Sequence, residues 1–271
     1  MEYKLIAFDM DGTFLNSNKE IPIENIEAVK RAVKENKIVA ISTGRGLSEL
    51  KMVREKLPEI HYMIMTSGTM VYDFKENKEI YSNQLSIEEI RKILEVSKNR
   101  DILVHFLSQK AVMEKDKGHR VKDYGMGVYQ PMYNEVCTFV EDIYEYFEHH
   151  PSTLEKVNLY HQTKEDREIT YGLLKDLDLS LKKAESGSLE CSAKNINKGT
   201  GLKKLCEYLK IDIEETIAVG DANNDLEILE EAGLSIAMGN ASDEIKRKAD
   251  VVVSDHDHLG CVEAIDQYLL K

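Results

Sequence analysis

Two carboxylates one residue apart mark the first place where this chain could do chemistry. Asp9 and Asp11, in the stretch FDMDGTFLNSN, stand where the apolar run LIAF ends. In an extended segment residues i and i+2 point to the same side, so both acids can address one ligand. Like charges that close repel and raise each other's pKa, which asks for a cation, a proton or both. Gly12 lets the chain turn sharply there, although an exposed D-x-D-G-T turn needs no function at all. A second acidic group, Asp221, Asn224 and Asp225 in AVGDANNDLEIL, offers the hard oxygens that Mg2+ prefers. The same residues also suit the first turn of an N-capped helix.

Two further stretches complete the set. AISTGR supplies the Thr43 hydroxyl and, at Gly44, a backbone N–H open to close approach, ahead of a helix whose N-terminus favours anions. Gly44 and Gly46 also spell G-x-G, but Glu49 takes the third glycine's place and would repel a pyrophosphate. In NINKGTGL, Lys198 precedes a helical pattern and can carry its ammonium to the end of a sheet. Taken alone it reads as a solvated lysine, and no nucleotide P-loop surrounds it.

The elements that must position these groups are legible as short apolar runs with abrupt polar stops. They are LIAF before Asp9, IVAI before Ser42, YMIM before Thr66, TIAV before Gly220, LSIAM before Gly239 and VVV before Ser254. Runs without alternation suit strands buried on both faces, as in a parallel sheet. Helical spacing lies between them at Ile26, Val29 and Val33, at Leu47, Leu50, Val53 and Leu57, at Leu202, Leu205 and Leu209, and at Val262, Ile265 and Leu269. This alternation predicts a doubly wound, Rossmann-like α/β core. It is interrupted by a segment with its own helices, one opened by Ser86 and Glu89 as a capping box and one by Thr163 and Asp166. The expected organisation is a core of residues 1–83 and 190–271 with an inserted α+β domain over 84–189. Ligands of open α/β sheets gather at the carboxyl ends of the strands, so the polar stops should converge.

Bulk properties narrow the partners. The chain has 271 residues and a formal net charge of −13, which argues against nucleic acid or an anionic membrane as partner. Its four cysteines are too scattered for a C-x-x-C pair or a zinc set and read as reduced thiols. MEYKLIAF lacks the features of a signal peptide, and no stretch approaches the ~20 apolar residues of a membrane span. The expected compartment is the cytoplasm.

The four motifs, in this order, resemble those of the haloacid dehalogenase-type phosphatases. Within that superfamily the chain looks like the Cof-type branch (subclass IIB, with a C2 cap), whose cap is inserted between the second and third motifs. The resemblance extends through AGLSIAMGNASDEIKRKADVVV near the end. It implies that Asp9 is a nucleophile forming an aspartyl-phosphate, and that Asp11 is the general acid and then the base. It implies Mg2+ held by Asp9, the backbone carbonyl of Asp11 and Asp221. Thr43, Gly44, Lys198 and Asn224 would surround the phosphoryl group, with Thr13, Arg45 and Asp225 in support. The substrate would be a small phosphorylated metabolite such as a sugar phosphate, and the insert would close as a lid and select it. On this view the acids around Asp11 favour its protonated form.

Some residues fall outside that pattern. Ser67, in TSGTM, stands where relatives commonly carry the Asn of an Asn-Gly pair. His119, Arg120 and Lys122 form a small basic cluster, readable as a substrate contact or a solvated loop. SDHDHLG, with His256 and His258, reads as an exposed loop rather than a soft-metal site. VEDIYEYFEHH reads as an amphipathic helix. Two rival functions share the motifs, a sugar-phosphate mutase and a non-enzymatic phospho-acceptor. Oligomeric state is left open.

Overall fold

The unalternating apolar runs become strands because both of their faces are covered. The computed structural model describes residues 2–184 and 187–271. In chain order its strands are β1 (Leu5–Phe8), β2 (Ile38–Ser42), β3 (Tyr62–Met65), β4 (Met70–Asp73), β5 (Lys78–Ser82), β6 (Ile102–Leu107), β7 (Ala111–Glu114), β8 (Cys137–Val140), β9 (Lys156–His161), β10 (Leu179–Ala184), β11 (Ser188–Ala193), β12 (Thr216–Gly220), β13 (Leu234–Ala237) and β14 (Val251–Val252). One sheet runs β14-β13-β12-β1-β2-β3-β4-β5. Its first six strands are parallel, and β4 and β5 extend it antiparallel. In β1, Leu5 and Ala7 join the cluster built with Leu202 and Leu205 of the helix Lys198–Leu209. Ile6 and Phe8 point the other way and are buried as well. That double burial is why the run shows no alternation.

A second sheet, β10-β11-β9-β6-β7-β8, belongs to the insertion. Its pairs are antiparallel except for β7 with β8. Ile102, Val104, Phe106, Val157 and Leu159 on one face share an apolar cluster with residues of the helices Ile87–Ser97 and Ile143–His149. The opposite face carries His105, Lys156, Asn158 and Tyr160, all buried. Both expected helix starts are present: Ser86 accepts from the Glu89 N–H, and Thr163 from the Asp166 N–H.

The chain divides into two units, Met1–Gly44 with Met52–Ser82 and Asn197–Lys271, and Arg45–Lys51 with Asn83–Ile196. The boundary expected between 189 and 190 falls inside β11, whose pairing with β9 and β10 keeps it in the insert. Arg45–Lys51 also sorts with the insert. There Arg45 lies 5.6 Å from the ring centre of Tyr129, and Lys51 pairs with Glu135 at 2.5 Å. Among the described residues, no helix is long and apolar enough to cross a membrane.

Candidate active site

Asp9, Thr43 and Asp221 each follow directly on the last residue of β1, β2 and β12, so parallel pairing brings them to one end of the sheet. Lys198 begins the helix Lys198–Leu209, whose Asn197 cap accepts from the Thr200 N–H at 2.9 Å. Its ammonium, 1% exposed, donates to Asp9 Oδ1 and, at 2.6 Å, to Asp225 Oδ1. The other Asp225 oxygen accepts from the backbone N–H groups of Asp221 and Ala222, both at 3.0 Å. Thr13 Oγ1 donates to Asp221 Oδ1 at 2.8 Å. Carboxylate oxygens of Asp9, Asp221 and Asp225 all lie within 4.8 Å of one another.

Two glycines permit this crowding. At Gly12, with φ +91°, a Cβ would come within 2.5 Å of Asp221 Oδ2. At Gly68, with φ +98°, it would overlap the Asn197 carbonyl oxygen at the head of the Lys198 helix.

Three carboxylates face one ammonium. Burial, and then the charge of Asp225, push the Asp9 carboxyl well up, with Lys198 opposing. The same two causes push Asp221 up to about 6, against the Thr13 hydrogen bond. Burial works to strip Lys198 of its proton, but Asp225 and Asp9 more than offset it and hold the group charged. An excess of buried negative oxygen remains, and hard oxygens in that surplus fit a divalent cation such as Mg2+.

The other expected residues are placed as follows. Thr43 is buried, its N–H donating to the Ile64 carbonyl at 2.8 Å and its carbonyl accepting from the Ser67 N–H at 2.9 Å. Gly44 follows it, half-buried. Asn224 lies half-buried in the turn Asn223–Asp225, in sequence between Asp221 and Asp225. Arg45 belongs to the inserted unit, its Nη1 lying 3.3 Å from Met132 Sδ. Asp11 stands apart from the three clustered carboxylates, its side chain 24% exposed and bonded to Lys19 Nζ at 3.0 Å. Ser67 has φ +60° and follows Thr66 at φ +48°, so that turn demands a left-handed backbone, the property an Asn would supply.

Sequence reasoning missed the residues that hold the Asp11 loop. Asn240 Nδ2 donates to the Gly12 carbonyl at 2.8 Å, and Cys261 Sγ lies 3.2 Å from the Thr13 carbonyl oxygen. Asp257 accepts from the Ser17 N–H at 2.9 Å and hydroxyl at 2.5 Å, while His256 Nε2 lies 3.1 Å from that hydroxyl. The loop expected to be merely exposed is therefore a clasp, although Asp257 and His258 do face solvent. No local motif signals contacts between residues so far apart in the chain. In the basic cluster of the insert His119 and Lys122 are exposed, and Arg120 pairs with Asp116 and Asp123, each at 3.1 Å. His119 stacks on Phe139.

A family model described as haloacid dehalogenase-like hydrolase matches residues 6–265. The chain is 30% identical to the putative phosphatase YkrA of Bacillus subtilis (strain 168), over 100% of both. It is 29% identical to the 5-amino-6-(5-phospho-D-ribitylamino)uracil phosphatase YcsE of the same organism, over 100% of this chain and 97% of that protein. Among solved structures, a haloacid dehalogenase-like hydrolase from Bacteroides thetaiotaomicron superposes with a TM-score of 0.86 at 24% identity, covering 98% of this chain and 99% of the other.

Proposed function

We infer the reaction from one premise: the chain belongs to the haloacid dehalogenase-like hydrolases and is a phosphatase. The proposal is Mg2+-dependent hydrolysis of small cytoplasmic phosphomonoesters through an aspartyl-phosphate. One observation carries it, the meeting at the strand ends of half-buried Asp221 with buried Asp9, Asp225 and Lys198. YcsE acts on a compound bearing a phospho-D-ribityl group, which supports a substrate of that size and polarity.

Asp9 attacks phosphorus in line while the bond to the leaving oxygen breaks, and Asp11 gives that oxygen its proton. Asp11, now a base, takes a proton from the water that attacks the phosphoryl-enzyme, and Asp9 is released with inorganic phosphate. Lys198 orients Asp9 through their hydrogen bond and offsets negative charge as the dianion approaches. Thr43, Gly44 and Asn224 hold phosphoryl oxygens, and Thr13 and Asp225 fix the site from behind through Asp221, its backbone N–H and Lys198. Asp9, Asp221 and the Asp11 backbone carbonyl would hold Mg2+, which when bound supplies charge neutralisation between carboxylate and phosphate.

The test is a phosphomonoester panel with and without EDTA, run beside Asp9→Asn. Repeated turnover of p-nitrophenyl phosphate, lost with EDTA and in the variant, is the expected result. A requirement for a bisphosphate activator would indicate the mutase instead, and a single turnover the phospho-acceptor.

A further inference from the structure

We propose that Lys19 is a positioning residue of the phosphatase reaction, holding the Asp11 carboxyl in the orientation from which it serves the leaving oxygen. This rests on the acid role assigned to Asp11 above. Lys19 Nζ donates to Asp11 Oδ1 at 3.0 Å across eight residues of chain, with both side chains about three-quarters buried (27% and 24% exposed).

The backbone at Lys19 makes the contact informative. Its φ is +61°, in the left-handed region that glycine and asparagine enter readily and lysine does not. Residues kept in such conformations cluster at functional sites, where surrounding structure enforces them. Here the enforcement is visible. Asn16 Oδ1 accepts from the Asn18 and Glu20 N–H groups at 3.0 and 2.9 Å, and the Asn16 carbonyl accepts from the Lys19 N–H at 2.9 Å. Asp257 clamps Ser17 from across the unit. The turn is therefore built by groups other than the Lys19 side chain, and a glycine would suit its backbone better. What a glycine lacks is the ammonium on Asp11.

The test compares Lys19→Met, Lys19→Gly and Lys19→Arg with Asp11→Asn, using p-nitrophenyl phosphate and an alkyl phosphate. Departure of an alkoxide needs the proton from Asp11, whereas nitrophenolate leaves without it. Lys19→Met and Lys19→Gly should lower kcat/KM for the alkyl ester by roughly tenfold and for the aryl ester by less than about twofold. Lys19→Gly should keep or raise the Tm, and Lys19→Arg should recover much of the loss. Lys19→Met should add nothing to Asp11→Asn on the alkyl ester. Equal losses on both esters, or full additivity with Asp11→Asn, would overturn the proposal while leaving the Asp11 assignment standing. Asp11→Asn that itself fails to discriminate the esters would overturn both.

Discussion

Burial acts on Lys198 and on His105 in the same direction, and the two end in opposite states. Both side chains are removed from water, Lys198 in the core and His105 on the insert's sheet. Lys198 keeps its charge because Asp225 and Asp9 touch it. Among the described residues no acid pairs with His105. Burial first, and then the nearby charge of Lys156, pull it down to about 3, so it is neutral at pH 7. Its hydrogen-bond neighbours are neutral: Nδ1 lies 3.4 Å from the Tyr160 hydroxyl, which accepts from Asn158 Nδ2 at 3.0 Å. Desolvation alone therefore decides nothing about charge in this molecule; the presence of a counter-charge within hydrogen-bond reach decides it. Lys156 of the insert, 1% exposed, follows the same rule as Lys198, pairing with Glu190 at 3.2 Å.

Backbone strain separates the two units. Among the described residues of the insert the left-handed positions are Gly125, Asn99 and Asn195, residues suited to them. Beside the core site they include Lys19, Thr66 and Ser67, which are not.

Breaking the core arrangement should give the largest effect. Asp9→Asn should lower p-nitrophenyl phosphate turnover by at least about 10⁴-fold while the protein stays folded, since one of three crowded carboxylates has lost its charge. A circular dichroism melt run beside the assay checks both halves. Lys198→Met comes next, because it leaves Asp9 and Asp225 buried without their cation; a loss of about 3–5 kcal/mol in urea unfolding is expected. If that variant unfolded at the wild-type midpoint, the counter-charge argument would be wrong for the core.

The insert offers the smaller, pH-dependent test. His105 titrates near 6.5 when unfolded and at about 3 when folded, so between those values the unfolded chain binds more protons. Its contribution is thus complete above about pH 6.5 and lost as pH falls toward 3, a difference of about 2 kcal/mol by pH 5. His105→Leu should flatten the pH dependence of unfolding over that range, and an unchanged slope would show that His105 is not held neutral. Smallest is Ser67→Gly. Relief of the left-handed strain, about 1–2 kcal/mol, is partly offset by glycine's entropy in the unfolded chain, leaving a net gain of roughly 0.5 kcal/mol. A drop in Tm would mean that the Ser67 side chain matters more than its backbone.

Sequence carried the core further than the insert for a physical reason. Strands buried on both faces leave continuous apolar runs, and all six runs read that way are strands of the parallel sheet. β4 and β5 were not read, because MVYD ends on a charged residue and KEIYS, on the edge strand, is charged and only half-buried. The strand-end residues Asp9, Thr43 and Asp221 were legible from local type and spacing. Lys19 was not, since nothing local distinguishes it from other lysines, and its contact depends on a turn closed by Asn16 and Asp257. The buried face of the insert was also invisible: Lys156, Asn158 and Tyr160 alternate with Val157 and Leu159, a pattern that normally signals a face exposed to water.

Arg45–Lys51 sorts with the insert, although it begins one peptide bond after Gly44. The polypeptide thus passes between the two units four times, at 44/45, 51/52, 82/83 and 196/197, where a simple insertion would need two crossings. Modularity is reduced accordingly. A chimera that exchanges only 83–196 with a relative would separate Lys51 from Glu135 and Arg45 from Tyr129. Transplanting the insert intact means moving the heptapeptide with it, and the splice then falls immediately beside the glycine assigned to the phosphoryl group.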